Sequence, residues 1–138
     1  MNLDRDVVRS RCAEIEDSLS RLEAFRSMPR EQFIADQDAC DIACYRLLVS
    51  IEAALALCYH TTSRRLRQTP EDNAACFDVL HTAGIIDAAL SERLRLMARL
   101  RNLLVHMYWK VDYEKVHDVL QHSLQDLRVF SQTIAQLL

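Results

Sequence analysis

Glycine is almost missing from this sequence. The 138-residue chain has one glycine and two prolines, where average usage would give roughly ten and seven. Sheets and loop-rich folds reverse direction through such residues, so a sandwich or barrel is excluded. A glycine-rich phosphate loop, G-x-G-x-x-G or G-x-x-x-x-G-K-[ST], is excluded with them. What remains is a few long helices with short connections.

Other scarcities narrow the class further. The most apolar stretch, Leu47 to Tyr59, is interrupted by Glu52 and is too short to span a bilayer. The first residues, MNLDRDVVRSR, carry charge and no apolar segment, so no signal peptide is expected and the expected location is cytoplasmic. The five cysteines (Cys12, Cys40, Cys44, Cys58, Cys76) contain no C-x-x-C pair. Reduced thiols are expected, with Cys40 and Cys44 as small core hydrophobes on one helix face. No metal site and no cofactor are expected.

What is present is helical. Half of the residues are hydrophobic and 27% are charged, enough at this length to bury a substantial core as a single domain over residues 1–138. Leu3, Val7, Cys12, Ile15, Leu19 and Leu22 predict a first helix to about Arg26, broken by Met28-Pro29. Phe33, Cys40, Cys44, Leu47, Ile51, Leu55 and Cys58 predict one long helix ending near His60. Ile42, Leu48, Val49 and Ala56 fill in beside that stripe, so this helix is expected to be either central in the bundle or buried in a second interface. A polar connection, Thr61 to Arg65, follows. Thr69 as cap and Pro70 at the first position predict a short third helix that stops near Gly84. Asp87 and Asp112 are expected caps of a fourth and a fifth helix. The expected fold is all-α, an up-and-down bundle of four main helices and one short one.

Net charge is −3, yet fifteen of the seventeen cations are Arg, the better partner for planar carboxylates and phosphates. Between Ser91 and Val111, Arg93, Arg95, Arg99, Arg101 and Lys110 face only Glu92, a local charge of +4. A polyanion finds footing on an acidic protein in this way.

The same region carries the chemistry: Arg99-Leu-Arg101-Asn102-Leu-Leu-Val-His106-Met-Tyr108-Trp109. Asn102 and His106 lie one turn apart on a helix; Arg101 and Tyr108, seven apart, share a face if the helix continues that far. Histidine titrates near neutrality and can act as acid or base. Arginine holds a phosphate and its developing charge. RNA brings its own nucleophile, the 2′-hydroxyl, so a base and a cation suffice in principle without a metal. The spacing of Arg and His alone is unspecific in so Arg-rich a chain, and His106 would also suit a helix C-terminus as a structural cation. Glu52, inside an apolar helix, needs a cationic partner if buried, and a motif Arg is a candidate. His60 is expected to be a surface or capping residue, and the Arg64, Arg65, Arg67 cluster a solvated turn. His81 is expected to be structural. His117 and His122 do not share a face.

Arg101-Asn102-Leu-Leu-Val-His106-Met-Tyr108 resembles the R-N-x-x-x-H-x-Y signature of HepT-like proteins in the HEPN superfamily. Tyr45 to Ala54, Leu80 to Ile86, Ser91 to Leu100 and Val111 to Tyr113 are also similar to that family, so the resemblance spans about residues 30 to 125. It implies an HEPN-like helical bundle and a metal-independent endoribonuclease, homodimeric, acting as the toxin of a toxin–antitoxin pair. Arg101 and His106 would be the catalytic pair, with Asn102 in support. The partner would be an MntA-like minimal nucleotidyltransferase that silences the toxin by adenylylating Tyr108, and the substrate would be RNA. Arg99, seven positions before His106, is a rival for the catalytic arginine; Arg101 is preferred because Asn follows it directly. The alternative is a non-catalytic helical module that binds a nucleotidyltransferase or a nucleotide.

Overall fold

The computed structural model describes residues 2–138, and among them every regular element is a helix. In order these are α1 (Arg5–Arg26), α2 (Arg30–Ala35), α3 (Gln37–Arg64), α4 (Asn73–Thr82), α5 (Ala88–His106), a 3-10 turn (Tyr108–Lys110), α6 (Tyr113–His122) and α7 (Leu124–Ala135). The expected all-α bundle is therefore present, with more interruptions than the apolar pattern suggested.

Aspartate and serine account for the extra breaks. The long second helix is two: Asp36 leaves helical geometry (φ −103°, ψ 96°) and its Oδ1 accepts from the Ala39 N–H at 3.1 Å. That cap satisfies one of the orphan donors of the new helix. Phe33 thus belongs to α2 and not to the stripe of α3. The last predicted helix is likewise split, at Ser123. The third helix starts at Asn73, capped by Asp72 through Ala75 N–H at 2.8 Å, and not at Thr69-Pro70. Asp87 and Asp112 cap α5 and α6 as expected.

The expected polar connection after His60 is helix as far as Arg64. Thr61 and Thr62 are buried and donate to the carbonyls of Leu57 and Tyr59, at 2.8 and 3.1 Å. This back-bonding lets hydroxyls stay inside a helix. Gly84 sits just beyond α4 at φ +79°, where the chain turns towards α5.

At 28 residues, α3 is long and apolar enough by length and composition to cross a membrane, longer than the Leu47–Tyr59 run implied. It is packed instead against α1, α4, α5 and α7 as the central helix. Ile15, Leu19 and Leu22 of α1 meet Leu47, Ile51 and Cys58 of α3 in one core with Leu94, Leu127 and Phe130. Val8, not Val7, takes the inward place at the start of α1. Phe77 and Phe130 close the core edge-on, with ring centroids 5.5 Å apart.

The expectation of reduced cysteines is corrected at two positions: Cys58 of α3 and Cys76 of α4 form a disulfide, Cα to Cα 6.2 Å. Cys40 is a buried free thiol as expected. Cys44 is half-buried, and burial, then Cys40 and Asp41, push its thiol up to about 12. It is therefore protonated and unreactive at neutral pH.

Candidate active site at the open end of α5

Asp87 starts the helix that carries the motif: its Oδ1 accepts from Leu90 N–H at 2.8 Å. The helix ends at His106, where Met107 leaves helical geometry (φ −140°, ψ 43°) and its N–H still reaches Leu103 O at 2.9 Å. Tyr108 then opens a 3-10 turn. The expectation that Arg101 and Tyr108 share a helix face is therefore corrected: they lie on different elements.

Arg101 is mostly covered, with 23% of its side chain exposed, and its Nε donates to Glu52 Oε1 of α3. The expected partnership of Glu52 with a motif arginine is found, but Glu52 is not buried; 47% of its side chain is exposed. Arg101 Nη1 also donates to Asn102 Oδ1 at 3.1 Å. The guanidinium is thus oriented from two sides. Because the Asn102 oxygen is taken, its amide nitrogen is left to donate outward.

Arg99, Asn102 and His106 are all exposed, at helix spacings of three and four, which place them on one outward face. Arg101 and His106 are five positions apart, about 140° around the helix. One chain therefore turns the arginine towards α3 and the histidine outward. Among the described residues, Arg99 and His106 have neither an ion pair nor a side-chain hydrogen bond. His106 stands in the last turn of α5.

The +4 segment is partly neutralised in space. Arg93 donates to Asp126 at 3.0 Å, and Arg95 lies against Asp78 and Glu92 at 3.4 and 3.6 Å. The cationic surface left over is at the motif end. There, Tyr108 is 70% and Trp109 66% exposed, with their rings edge-to-face at 5.4 Å. A small cavity of about 220 Å³ beside Tyr108 is walled by Tyr45, Leu48, Leu104, Val111 and Tyr113, with Asp41 at its margin. Sequence reasoning missed this cavity, because it depends on α3 meeting α6 across Gln37, which donates to Tyr113 Oη at 3.1 Å.

Of the other histidines, His60 and His117 make structural contacts, and His81 and His122 are exposed. His60 Nε2 accepts from Asp4 N–H at 3.0 Å and so serves the start of α1. Burial and then Arg64 hold its imidazole below the ordinary value, against the pull of Asp4. His117 is buried on Phe33, with Nε2 2.9 Å from Met28 O. Arg64 donates to Asn2 O, and Arg67 adopts a positive φ of 54° in the turn that follows. Among the described residues there is no group of three or more His, Cys, Asp or Glu placed to hold a metal.

The chain is similar to known proteins. The mRNA nuclease HepT of Shewanella oneidensis is 26% identical over 129 residues, covering 94% of this chain and 96% of its own. A ribonuclease candidate of Archaeoglobus fulgidus is 35% identical over 94 residues, 68% of this chain and 70% of its own. The solved structure of a tri-AMPylated Shewanella oneidensis HEPN toxin in complex with its MNT antitoxin superposes with a TM-score of 0.86 at 27% identity, over 97% of this chain and 98% of the toxin. The family model described as ribonuclease HepT-like matches residues 15–134. The chain belongs to the HepT-like ribonuclease family.

Proposed function

We propose that the chain is a metal-independent endoribonuclease, the toxin of a toxin–antitoxin pair acting on RNA in the cytoplasm. The observation that carries this reading is the set Arg101, Asn102 and His106 at the exposed end of α5, in a chain of this family. In the proposed reaction neutral His106 removes the 2′-proton of the substrate. The 2′-oxygen forms a bond to the adjacent phosphorus, and the 5′-oxygen of the next nucleotide leaves with a proton. The products are a 2′,3′-cyclic phosphate end and a free 5′-hydroxyl. Arg101, oriented by Glu52 and Asn102, stabilises the charge on the phosphoryl oxygens.

A second copy of the chain would complete the same reading. Ile42, Tyr45 and Val49 form an apolar face on α3, with Ile42 50% and Tyr45 60% exposed. Glu52 and its partner Arg101 lie at the end of that face. A homodimer packed there would bring two motifs together and let His106 of one copy work opposite Arg101 of the other. Exposed Tyr108 suits modification by an MntA-like nucleotidyltransferase. An attached AMP adds a bulky anion next to Arg101 and His106 and competes with the RNA phosphate. The whole of residues 1–138 would act as one domain.

One observation favours the non-catalytic alternative: Arg101 is already held by a carboxylate. The deciding experiment is incubation of the purified, unmodified protein with RNA in EDTA beside His106→Ala. Cleavage by the wild type that is lost in the variant supports the nuclease. No cleavage by a protein shown by mass to lack AMP supports the binding module. Full cleavage by protein carrying AMP on Tyr108 would sink the silencing role.

A further inference from the structure

Asn102 also borders a second, separate cleft. It opens between the end of α3, the segment Glu71–Ala74 and α5, with a volume of about 410 Å³, in the range of sites that take small molecules. Ala98, Arg99 and Asn102 form its α5 side; Tyr59 of α3 and Glu71, Asp72 and Asn73 line the rest.

The polar groups are sorted by what they can still do. Asp72 Oδ1 is spent on capping α4. Tyr59 donates to Asn73 Oδ1 at 2.8 Å, which leaves the Asn73 amide nitrogen as a donor. Burial and the Asp72 carboxylate, against Arg101, push the Tyr59 phenol above its ordinary value, so it is a neutral hydroxyl. Asn102 presents its amide nitrogen, because its oxygen is taken by Arg101. Arg99 presents a whole guanidinium. The cleft thus has a permanent cation and an amide donor on the side nearest His106. Acceptor carboxylates and an aromatic ring line the rest.

That division fits one nucleotide. A phosphate needs Arg and N–H donors, and an unstacked base needs an aromatic or apolar surface. A carboxylate accepts from a base that carries an exocyclic amine, as in the pairing of Glu with the cytosine amino group. We propose that this cleft is a subsite for an RNA nucleotide one step beyond the two that flank the scissile phosphate. Arg99 and Asn102 hold its phosphate, and Glu71 selects a base with an exocyclic amine over uracil. The proposal rests on the ribonuclease reading. It also gives Arg99 a binding role beside Arg101 in place of a catalytic one.

The test compares a dinucleotide, which carries only the two nucleotides that flank the scissile bond, with short single-stranded RNAs that extend to either side and differ only in the bases beyond those two. For wild type, kcat/KM is expected to be higher on the extended RNAs, and higher with adenine or cytosine than with uracil at one of those outer positions. Arg99→Ala is expected to lower the extended-to-dinucleotide ratio roughly tenfold to a hundredfold, the size of one charge-assisted contact, mainly through KM. Glu71→Gln is expected to erase the base preference. Arg99 is exposed and unpaired, and a thermal melt checks that its variant folds. Equal loss on both substrates would place Arg99 at the reacting phosphate and overturn the subsite. An unchanged ratio with weakened binding of a nucleotidyltransferase would overturn it in favour of a protein contact. If wild type cleaves neither RNA, the ribonuclease reading fails first and the subsite falls with it.

Discussion

The two halves of α5 repeat one leucine spacing in two different environments. From Ala88 to Ala98 the helix buries Leu90, Ser91, Leu94, Met97 and Ala98; from Arg99 to His106 it buries nothing completely. The second half still carries Leu100, Leu103, Leu104 and Val105, and Val105 is exposed. A protomer that needed only its own core would not extend an apolar pattern into solvent beside Arg99, Arg101 and His106. The first half is held by packing, so its residues matter for folding. The second half is anchored by the Glu52 pair and the turn at Met107, so its side chains are available for chemistry and for a second surface.

The largest expected effect tests that division at the motif. His106→Ala is expected to lower RNA cleavage about 10²–10⁴-fold, the usual worth of a general base. Arg101→Ala is expected to lower it about 10²–10³-fold, as for a lost charge-stabilising donor. Neither is expected to move the thermal midpoint much, because neither side chain belongs to the core. A large fall in that midpoint with either variant would break the comparison by showing that this end is structural.

Next in size is the apolar face. Ile42→Glu places a charge on a residue already half exposed, so the fold is expected to persist. The mass measured by light scattering is expected to fall from two copies to one, and cleavage to fall with it. An unchanged mass would mean that the second surface lies elsewhere on the chain.

A smaller effect is expected at the anchor. Glu52→Gln removes the carboxylate that orients Arg101 and also repels RNA. Its kcat is expected to fall roughly several-fold, since the pair is partly exposed and such pairs contribute modestly. The KM for RNA is expected to fall too, as one negative charge is lost from the site. Steady-state kinetics separate the two. A rise in KM would mean that Glu52 takes part in binding.

How much of this was legible follows from which signals are local. Asp87 and Asp112 read as caps because a polar residue stands before an apolar run. Glu52 read as a partner for arginine because a lone carboxylate in an apolar helix asks for one. Asp36 was hidden, since the apolar period of α2 runs into that of α3 without Gly or Pro. The end of α5 at Met107 was hidden for the same reason, and with it the separation of Arg101 from Tyr108. The Cys58–Cys76 link and the Tyr59–Asn73 contact join α3 to α4 across a loop whose path no local pattern encodes.

The smallest effect sharpens the comparison from the buried side. His60 holds the start of α1 by accepting the Asp4 N–H, and only its neutral form can accept. Burial and Arg64 lower its folded pKa, so in mildly acidic solution the unfolded chain binds more protons than the folded one. Stability from this contact is therefore present above the unfolded value of about 6.5 and is lost as pH falls through the lowered folded value. Melts between about pH 7.5 and pH 5 should show a falling midpoint in the wild type. His60→Gln retains an oxygen acceptor and does not titrate, so its midpoint should fall less over the same range. Identical slopes would mean that Arg64 and Asp4 hold that corner without the imidazole. The pH response of folding would then have to come from another group.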